Sequence, residues 1–512
     1  MSKIGALMLA IVGGFAEYPA LAETPTAPAL VVDARTLTAA GTISNRFLSY
    51  NIEMVELTGG RFWRPYGSAA SDRYEYRPPL DLANLRLRKL AAGLAPAYVR
   101  YSGTWANATW FTAADIAPAK PPAGFDTVLT ARQWRGAVAF AKAANARIVT
   151  SFATSAGTHD AKGIWQPGNA ALWLAYTRKV GGTIAATEFG NEPNSLALLK
   201  PPTDYIYADY RRDYAIFAGW LRKASPGTLL VAPGTAELGE PIRTLGKRAP
   251  GGGMGEATDL LTAAEPRPDV VSFHFYGSAS ERCGGAMLAR KPADARSPDW
   301  LAAIDAGIAR TAALRDRLAP GAPIWNTESA ETVCGGNRIA STFSDTFRFV
   351  DQLARSARQG VAVFAHNTLA ASDYGLLDEG TYNPRPNYWA ALVWKRLVGT
   401  QVLDTGRRND GVNLYAHCLK GSRGGVVLIA INLETDAERS LQTGMSAQVY
   451  TLAQGTSGAK TVSLNGKLIE LGKGDRLPIL TGRAAPEGLI LLPARTVSFI
   501  TVPGAANPAC RA

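Results

Sequence analysis

The 512-residue sequence has only four cysteines, and its 42 acidic residues are outnumbered by 54 lysines and arginines. None of the cysteines lies in a CxxC pair, and His417 beside Cys418 is the only His–Cys adjacency, so the spacing of a zinc site is missing. No dense Lys/Arg block and no RNA-binding aromatic signature is present, which argues against nucleic acid as a partner despite a net charge of +12. After the N-terminal segment, no apolar run reaches the length of a membrane-spanning helix, so the mature chain is expected not to insert in a bilayer. No internal repeat or low-complexity linker separates one part of the chain from another.

What is present reads as a globular protein: 47% of residues are hydrophobic and 19% charged, and the length suits two domains. The positive balance favours anionic partners, an acidic glycan among them. Lys3, the apolar run Ile4–Phe15 and the small-x-small site Ala20-Leu21-Ala22 read as a signal peptide over residues 1–22, which predicts secretion or periplasmic export. Four cysteines in an oxidising compartment fit two disulfides. Of the three pairings, Cys283–Cys334 and Cys418–Cys510 keep each bridge inside one domain.

Between residues 43 and 398, short apolar strands alternate with amphipathic stretches, the pattern of βα units around a parallel sheet. The strand candidates are Arg46–Glu53, Ala97–Ser102, Arg147–Ala153, Ile184–Gly190, Thr228–Ala232, Asp269–Tyr276, Pro323–Glu328 and Val361–Asn367. Helical patterns cover Leu82–Ala92, Ala131–Ala144, Asp204–Ala224, Trp300–Leu318, Asp345–Arg358 and Tyr388–Val398. This count predicts an α/β fold, a (β/α)8 TIM barrel. A doubly wound sheet is disfavoured, because no glycine-rich nucleotide fingerprint follows the first strand. From residue 399 to 512, shorter strands with turn residues between them, including the hairpin signal Asn465-Gly466, predict a C-terminal antiparallel β-sandwich. The run Ala29–Ala34, within residues 23–42, is expected to add a strand to it.

Barrel enzymes work at the C-terminal ends of their strands. Two carboxylates fall there: Glu192, just past strand four, and Glu328, at the end of strand seven. Strands four and seven face each other across the mouth, so the two can converge. A retaining glycosidase needs such a pair, an acid that protonates the leaving oxygen and an ionised nucleophile that attacks the sugar. Arg100 and Tyr276, near the ends of strands two and six, are placed to stabilise the charge on Glu328. Asn191 is placed to hydrogen-bond the sugar 2-hydroxyl. Glu188 is read as a buried partner of Arg100, and Glu331 as a loop residue beyond strand seven.

The stretch Phe189-Gly190-Asn191-Glu192-Pro193-Asn194-Ser195 resembles the acid/base motif of the heparanase and β-glucuronidase family of glycoside hydrolases. Leu94–Arg100, Thr327-Glu328-Ser329 with Gly335-Gly336, Asp373–Glu379 and Asn387-Tyr388-Trp389 extend the resemblance, in order, over nearly the whole mature chain. It implies a barrel with a β-sandwich, no metal or cofactor, retention of configuration, and a glucuronate in the subsite before the cleaved bond. It also implies that Glu192 is the acid/base and Glu328 the nucleophile, and that Tyr374 with the Gly335 and Gly336 amides holds the glucuronate carboxylate. Two features depart from the family pattern: the long loop Thr58–Pro79, and Cys334 just before the glycine pair. Both bear on cleft shape, which decides between endo and exo action.

Arg61, Arg64, Arg73, Arg243, Lys247, Arg248, Arg282 and Lys291 on the loops above the barrel are candidate contacts for a polyanion. The resulting expectation is a monomeric endo-β-glucuronidase acting on acidic polysaccharide such as heparan sulfate. Exo action on terminal glucuronides, hydrolysis of neutral pentosides, and a catalytically silent glycan-binding protein remain the alternatives.

Overall fold

The computed structural model describes residues 29–66, 72–238, 254–283, 292–406 and 411–511. The signal-peptide segment, Arg243, Lys247, Arg248 and Lys291 lie outside these residues. Eight parallel strands close on themselves: β1 (Leu48–Glu53), β2 (Ala97–Ser102), β3 (Ala146–Phe152), β4 (Ile184–Phe189), β5 (Leu229–Leu238), β6 (Val270–Tyr276), β7 (Ile324–Ala330) and β8 (Val361–His366). Each is followed by a helix: α1 (Leu85–Gly93), α2 (Ala131–Ala143), α3 (Gly168–Lys179), α4 (Tyr207–Ala224), α5 (Ala257–Leu260), α6 (Ile304–Leu318), α7 (Phe343–Arg358) and α8 (Pro386–Leu397). The (β/α)8 barrel expected from the sequence is therefore present. Two of its helices begin where the sequence supplies side-chain caps. Asn84 accepts from the Leu87 amide to start α1, and Thr130 and Gln133 close a reciprocal capping box at α2.

Period-2 alternation layers the barrel interior. At the N-terminal ends of the strands, Tyr98, Val149, Ala186, Val231, Val270, Trp325 and Val363 pack into one apolar plug. Two residues further along the same faces, the side chains turn polar: Arg100 on β2 and Glu188 on β4 are each 2% exposed. Two residues again beyond Ser272 on β6 come His274 and then Tyr276. A packed floor thus carries a charged layer just beneath the mouth.

The sequence pattern differs from the structure in several places. Strand β5 runs on to Leu238, past Ala232-Pro233-Gly234, because a register shift between Pro233 and Thr235 absorbs the turn-forming pair. Helix α3 is not among the helical patterns expected from the sequence. The stretch Trp300–Leu318 is split at Ala303 into Pro298–Ala302 and α6. A further difference is Thr38–Thr42, an unforeseen strand that pairs antiparallel with β9 (Val398–Asp404).

Outside the barrel, Gly60–Trp63 pairs with Tyr74–Arg77 and Thr109–Thr112 with Thr127–Thr130, and the later strands form two packed sheets. Strands β9, β10 (Val412–Leu419), β11 (Val426–Asn432), β16 (Thr496–Val502) and β13 (Ala447–Gln454) lie in one. Leu30–Val31, β12 (Arg439–Gln442) and β15 (Leu489–Leu492) form the other, while β14 (Val462–Leu464) and then Lys467–Leu468 extend the larger sheet beyond β13. The expected N-terminal strand is thus the pair Leu30–Val31, parallel to β12. Asn465 and Gly466 both take positive φ, 51° and 80°, in the hairpin after β14. Alternation in β11 places Val427, Ile429 and Ile431 in the core shared with the barrel, and Val426, Leu428 and Ala430 against the small sheet. Asp351 on α7 pins the sandwich to the barrel, accepting from Asn413 at 2.5 Å and Tyr415 at 2.6 Å. The two disulfides are Cys283–Cys334, between the loops after β6 and β7, and Cys418–Cys510 in the sandwich.

Candidate active site

A cleft of about 670 Å³ opens at the C-terminal ends of the strands, with Glu192 and Glu328 in its wall. One carboxylate oxygen of each lies within 4.8 Å of the other and of a His274 ring nitrogen. Glu328 is held from three sides. Tyr276 donates to its Oε1 at 2.6 Å, Arg100 donates to its Oε2 at 2.9 Å, and His274 Nδ1 stands 3.6 Å from Oε2. Burial by itself would raise the pKa of this carboxyl. The positive field of His274 and Arg100 and the bonds from Tyr276 and Arg100 outweigh burial and leave it below the usual carboxylate value. Glu328 is therefore an anion at neutral pH.

Arg100 is the hub of the charged layer. Its Nε donates to Glu188 at 2.9 Å, and one terminal nitrogen donates to Asn191 Oδ1 at 2.7 Å. Glu188 thus takes the buried-partner place expected of it. Glu192 sits differently, with its side chain 14% exposed and Oε1 3.0 Å from His274 Nδ1. Its φ of 53° is left-handed, an uncommon conformation for a side-chain-bearing residue and one the surroundings must impose. Asn107 holds the preceding peptide in place: its side-chain oxygen accepts from the Asn191 amide at 2.7 Å, and its NH2 donates to the Asn191 carbonyl at 3.0 Å. Two carboxylates and an imidazole are also donors a divalent cation would accept. Here the Arg100 guanidinium already supplies positive charge in contact with Glu328.

Tyr374 lines the same cleft at 3% exposure. Asn367 Nδ2 fans out to Tyr276 Oη at 3.0 Å, Glu53 Oε1 at 3.1 Å and Tyr374 Oη at 3.3 Å. Gly335 and Gly336 both have φ of 85° and pack beside this group. A Cβ at Gly335 would lie 2.7 Å from Trp63 Cβ, and one at Gly336 would lie 3.3 Å from the Tyr374 amide nitrogen. Only glycine fits both the conformation and the space. Thus Asn191, Tyr276, Arg100, Tyr374 and the glycine pair converge around the two carboxylates, whereas Arg243 lies outside the described residues.

Three cleft residues were missed from the sequence. His274 stands opposite Glu328 in the β6–β7 register, inside what reads as an apolar strand. Its place two residues before Tyr276, on the same face, is the signal that could have found it. Asn367 directly follows β8 and lacked any motif. Glu53, at the end of β1, is a third carboxyl, 5% exposed and beside Glu328. Burial first, then the Glu328 charge, lift its pKa well above the usual value, which favours its neutral form. Gly103 makes room for it, since a Cβ there would overlap Glu53 Oε2.

The loop cations need correction. Arg282 is no free surface charge: it pairs with Asp373, donates to the Gly336 carbonyl at 2.6 Å and lies 3.8 Å over the Tyr66 ring. Arg61 pairs with Asp72, and Arg64 lies 3.9 Å from Glu75. Of the four cations described, only Arg73 is left exposed without such a partner among the described residues. Glu331 lies in the loop just past β7 as expected, and there it is buried, accepting from the Asn337 amide at 2.8 Å and so bracing the glycine loop.

Replacing Arg100 by Met is expected to cost about 3–5 kcal/mol of stability, because it strands Glu188 and Glu328 as buried, unpaired carboxyls. Thermal unfolding near neutral pH measures this. A loss under 1 kcal/mol would mean that the charged layer is not held together by this residue.

A (β/α)8 barrel joined to a β-sandwich, with facing carboxylates at the ends of strands four and seven, is the architecture of a glycoside hydrolase. No family profile matches the sequence. Among curated proteins, heparanase-like protein 1 of Arabidopsis thaliana is 27% identical over 417 residues, covering 77% of this chain and 73% of that protein. Heparanase of Mus musculus is 25% identical, and the alignment covers 97% of each chain. Baicalin-beta-D-glucuronidase of Scutellaria baicalensis is 35% identical over 158 residues, 28% of this chain and 29% of that one. The solved structure of a 4-O-alpha-L-rhamnosyl-beta-D-glucuronidase from Fusarium oxysporum superposes with a TM-score of 0.61 at 15% identity, over 92% of this chain and all of that one. The resemblance to the heparanase and β-glucuronidase family thus extends along the chain.

Proposed function

We propose that this protein is an exported, retaining β-glucuronidase that cleaves glucuronate linkages in acidic polysaccharide, in the endo manner of a heparanase. The observation that carries the reading is the approach of Glu192 and Glu328 to within 4.8 Å. That is close to the ~5–5.5 Å of retaining pairs and short of the ~6.5–9.5 Å that an inverting pair leaves for water. Glu328 attacks the anomeric carbon while Glu192 gives its proton to the leaving oxygen. Glu192 then takes a proton from the water that hydrolyses the glycosyl-enzyme. Asn191, its oxygen engaged by Arg100, keeps its NH2 for the sugar 2-hydroxyl. Tyr374, Asn367, protonated Glu53 and the Gly335–Gly336 amides suit a glucuronate ring and its carboxylate, with backbone and neutral donors gripping an anion. Heparanase and β-glucuronidase relatives support the substrate class, and two disulfides support an oxidising compartment. Among the described residues no helix is long and apolar enough to cross a membrane.

A second reading is exo action on a small glucuronide with an aromatic leaving group. Trp63 and Tyr74, 4.6 Å apart, line the cleft with Phe62 and Trp105, 5.0 Å apart. Lys200 in that wall is neutralised by Asp126. Digestion of heparan sulfate and of an aryl β-glucuronide, with products sized, separates the two readings. Internal cuts in the polymer support the first, and release of single glucuronate residues from chain ends supports the second.

Tyr276→Phe is expected to lower kcat/KM and to move its acid limb upward by about one pH unit. The sign follows from Glu328, which must be ionised, so activity falls as pH drops through its depressed pKa. Removing the Tyr276 bond removes one cause of that depression, and the fall begins at higher pH. An unmoved acid limb would separate the observed titration from Glu328.

A further inference from the structure

A second cavity, of about 800 Å³, lies at the opposite end of the barrel, against the sandwich. Its walls are the lead into β1, Pro96 before β2, the end of α8, the start of β9, the hairpin between β10 and β11, and the segment ending at Arg511. Leu48 begins β1 at this cavity and Glu53 ends it at the catalytic cleft. At about 3.3 Å per residue, some 17 Å of barrel separates them. A ligand here does not reach the catalytic pair.

The lining carries Lys395, Lys420, Arg423 and Arg511, and no aspartate or glutamate. This contrasts with the catalytic end, where Arg61, Lys200 and Arg282 each meet a carboxylate. The charges acting on the two lysines are themselves cations: Lys420 and Arg46 on Lys395, Arg396 on Lys420. Lys395 is 6% exposed, and its ammonium donates to the Pro96 carbonyl at 2.6 Å. Burial, then its cationic neighbours, bring its pKa down to about 7. Lys420 in turn donates to the Lys395 carbonyl at 2.8 Å. An ammonium has three protons to donate, so each lysine retains donors beyond the one bond given. Gathering like charges at a half-enclosed site is unfavourable until a counter-charge joins them. A group with negative charge and several acceptor oxygens supplies both needs.

The geometry points to an oxyanion-binding site in this cavity, distinct from the catalytic cleft. It takes sulfate, phosphate or carboxylate groups, either free or carried on an acidic glycan chain. On a chain, the site would anchor polymer at the barrel's far end. The site does not depend on the catalytic assignment, and its test is independent of turnover.

The test titrates a sulfated heparin decasaccharide, and separately inorganic sulfate, into the full-length protein and into a Lys420→Ala/Arg423→Ala/Arg511→Ala variant. Turnover of an aryl glucuronide, where present, and the unfolding temperature serve as controls for the distant cleft and the fold. Binding at the catalytic cleft is common to both proteins and cancels in the comparison. The expected result is a rise in Kd of about tenfold or more for at least one anion, with a weaker dependence of Kd on salt. Loss of decasaccharide binding with sulfate weak in both proteins identifies the glycan chain as the source. Loss of saturable sulfate binding identifies a free oxyanion. Should the triple variant unfold, Arg423→Glu, at an exposed position, asks the same question by charge reversal. Equal Kd and equal salt dependence for both anions, in wild type and variant, would overturn the proposal.

Discussion

Glu328→Gln is expected to reduce turnover of every glucuronide by at least about 10⁴-fold, or ~5.5 kcal/mol in barrier height. The substitution keeps the shape of the side chain and removes its charge. Arg100 and Tyr276 are built around an anion: each donates to a different oxygen of Glu328, and the amide keeps only one of those oxygens, so the donor that faces its NH2 loses an acceptor. The glycosyl-enzyme then has no nucleophile to form on, and no other carboxyl can substitute. Burial and the Glu328 charge push Glu53 toward its neutral form, and Glu188 is spent on Arg100. Stability should fall only modestly, because His274 still faces the site and Arg100 keeps Glu188. The measurement is kcat on an aryl glucuronide and on polysaccharide, with far-UV circular dichroism to confirm folding. Loss of activity on one substrate alone would mean that Glu328 is not the common nucleophile.

The two carboxylates were legible from the sequence because barrel geometry makes strand ends special, and both lie there. The roles of Arg100 and Glu188 were legible for a related reason. A charged residue two positions beyond an apolar one on the same strand face must be buried, and a buried charge needs a partner. His274, Glu53 and Asn367 were not legible. Each meets its partners through a register or an angle between strands that no local pattern encodes. The β6–β7 ladder even shifts register between Phe273 and His274, and that shift sets His274 opposite Glu328.

Arg282 shows the opposite failure. Its sequence neighbourhood reads as an exposed loop, but Tyr66, Asp373 and the carbonyls of Cys334 and Gly336 enclose it from distant parts of the chain. A loop cation counted as a polyanion contact is instead the peg that fixes the glycine pair. Strand β5 failed by punctuation: Pro233 and Gly234 read as a stop, and a register shift carried the strand through them. Local chemistry thus located the proposed reacting groups, while the groups around them follow from tertiary contacts. This division explains why function class was readable before cleft shape.

Glu192→Gln separates the acid from the nucleophile by leaving group. A sugar alkoxide leaves only if it is protonated, and a positioned acid contributes about 10²–10⁴-fold to such a step. Polysaccharide cleavage by the variant is therefore expected to fall by that factor or more, since deglycosylation also loses its base. A dinitrophenyl glucuronide leaves without protonation. Its first step should stay near the wild-type rate, with a burst of phenolate followed by slow turnover as the glycosyl-enzyme accumulates. Azide, a nucleophile that needs no general base, should then restore turnover and yield a β-glucuronyl azide, the anomer that two inversions at one carbon require. Neither rescue is expected in Glu328→Gln, where the first inversion cannot occur. The environment of Glu192 favours this outcome: at 14% exposure it is the more open of the pair, on a backbone turn that Asn107 fixes from both sides, so the amide variant should hold its place. An α-configured azide product would point to a single displacement and an inverting site. Equal losses on both substrates, with no burst, would instead remove Glu192 from the leaving-group side of the reaction.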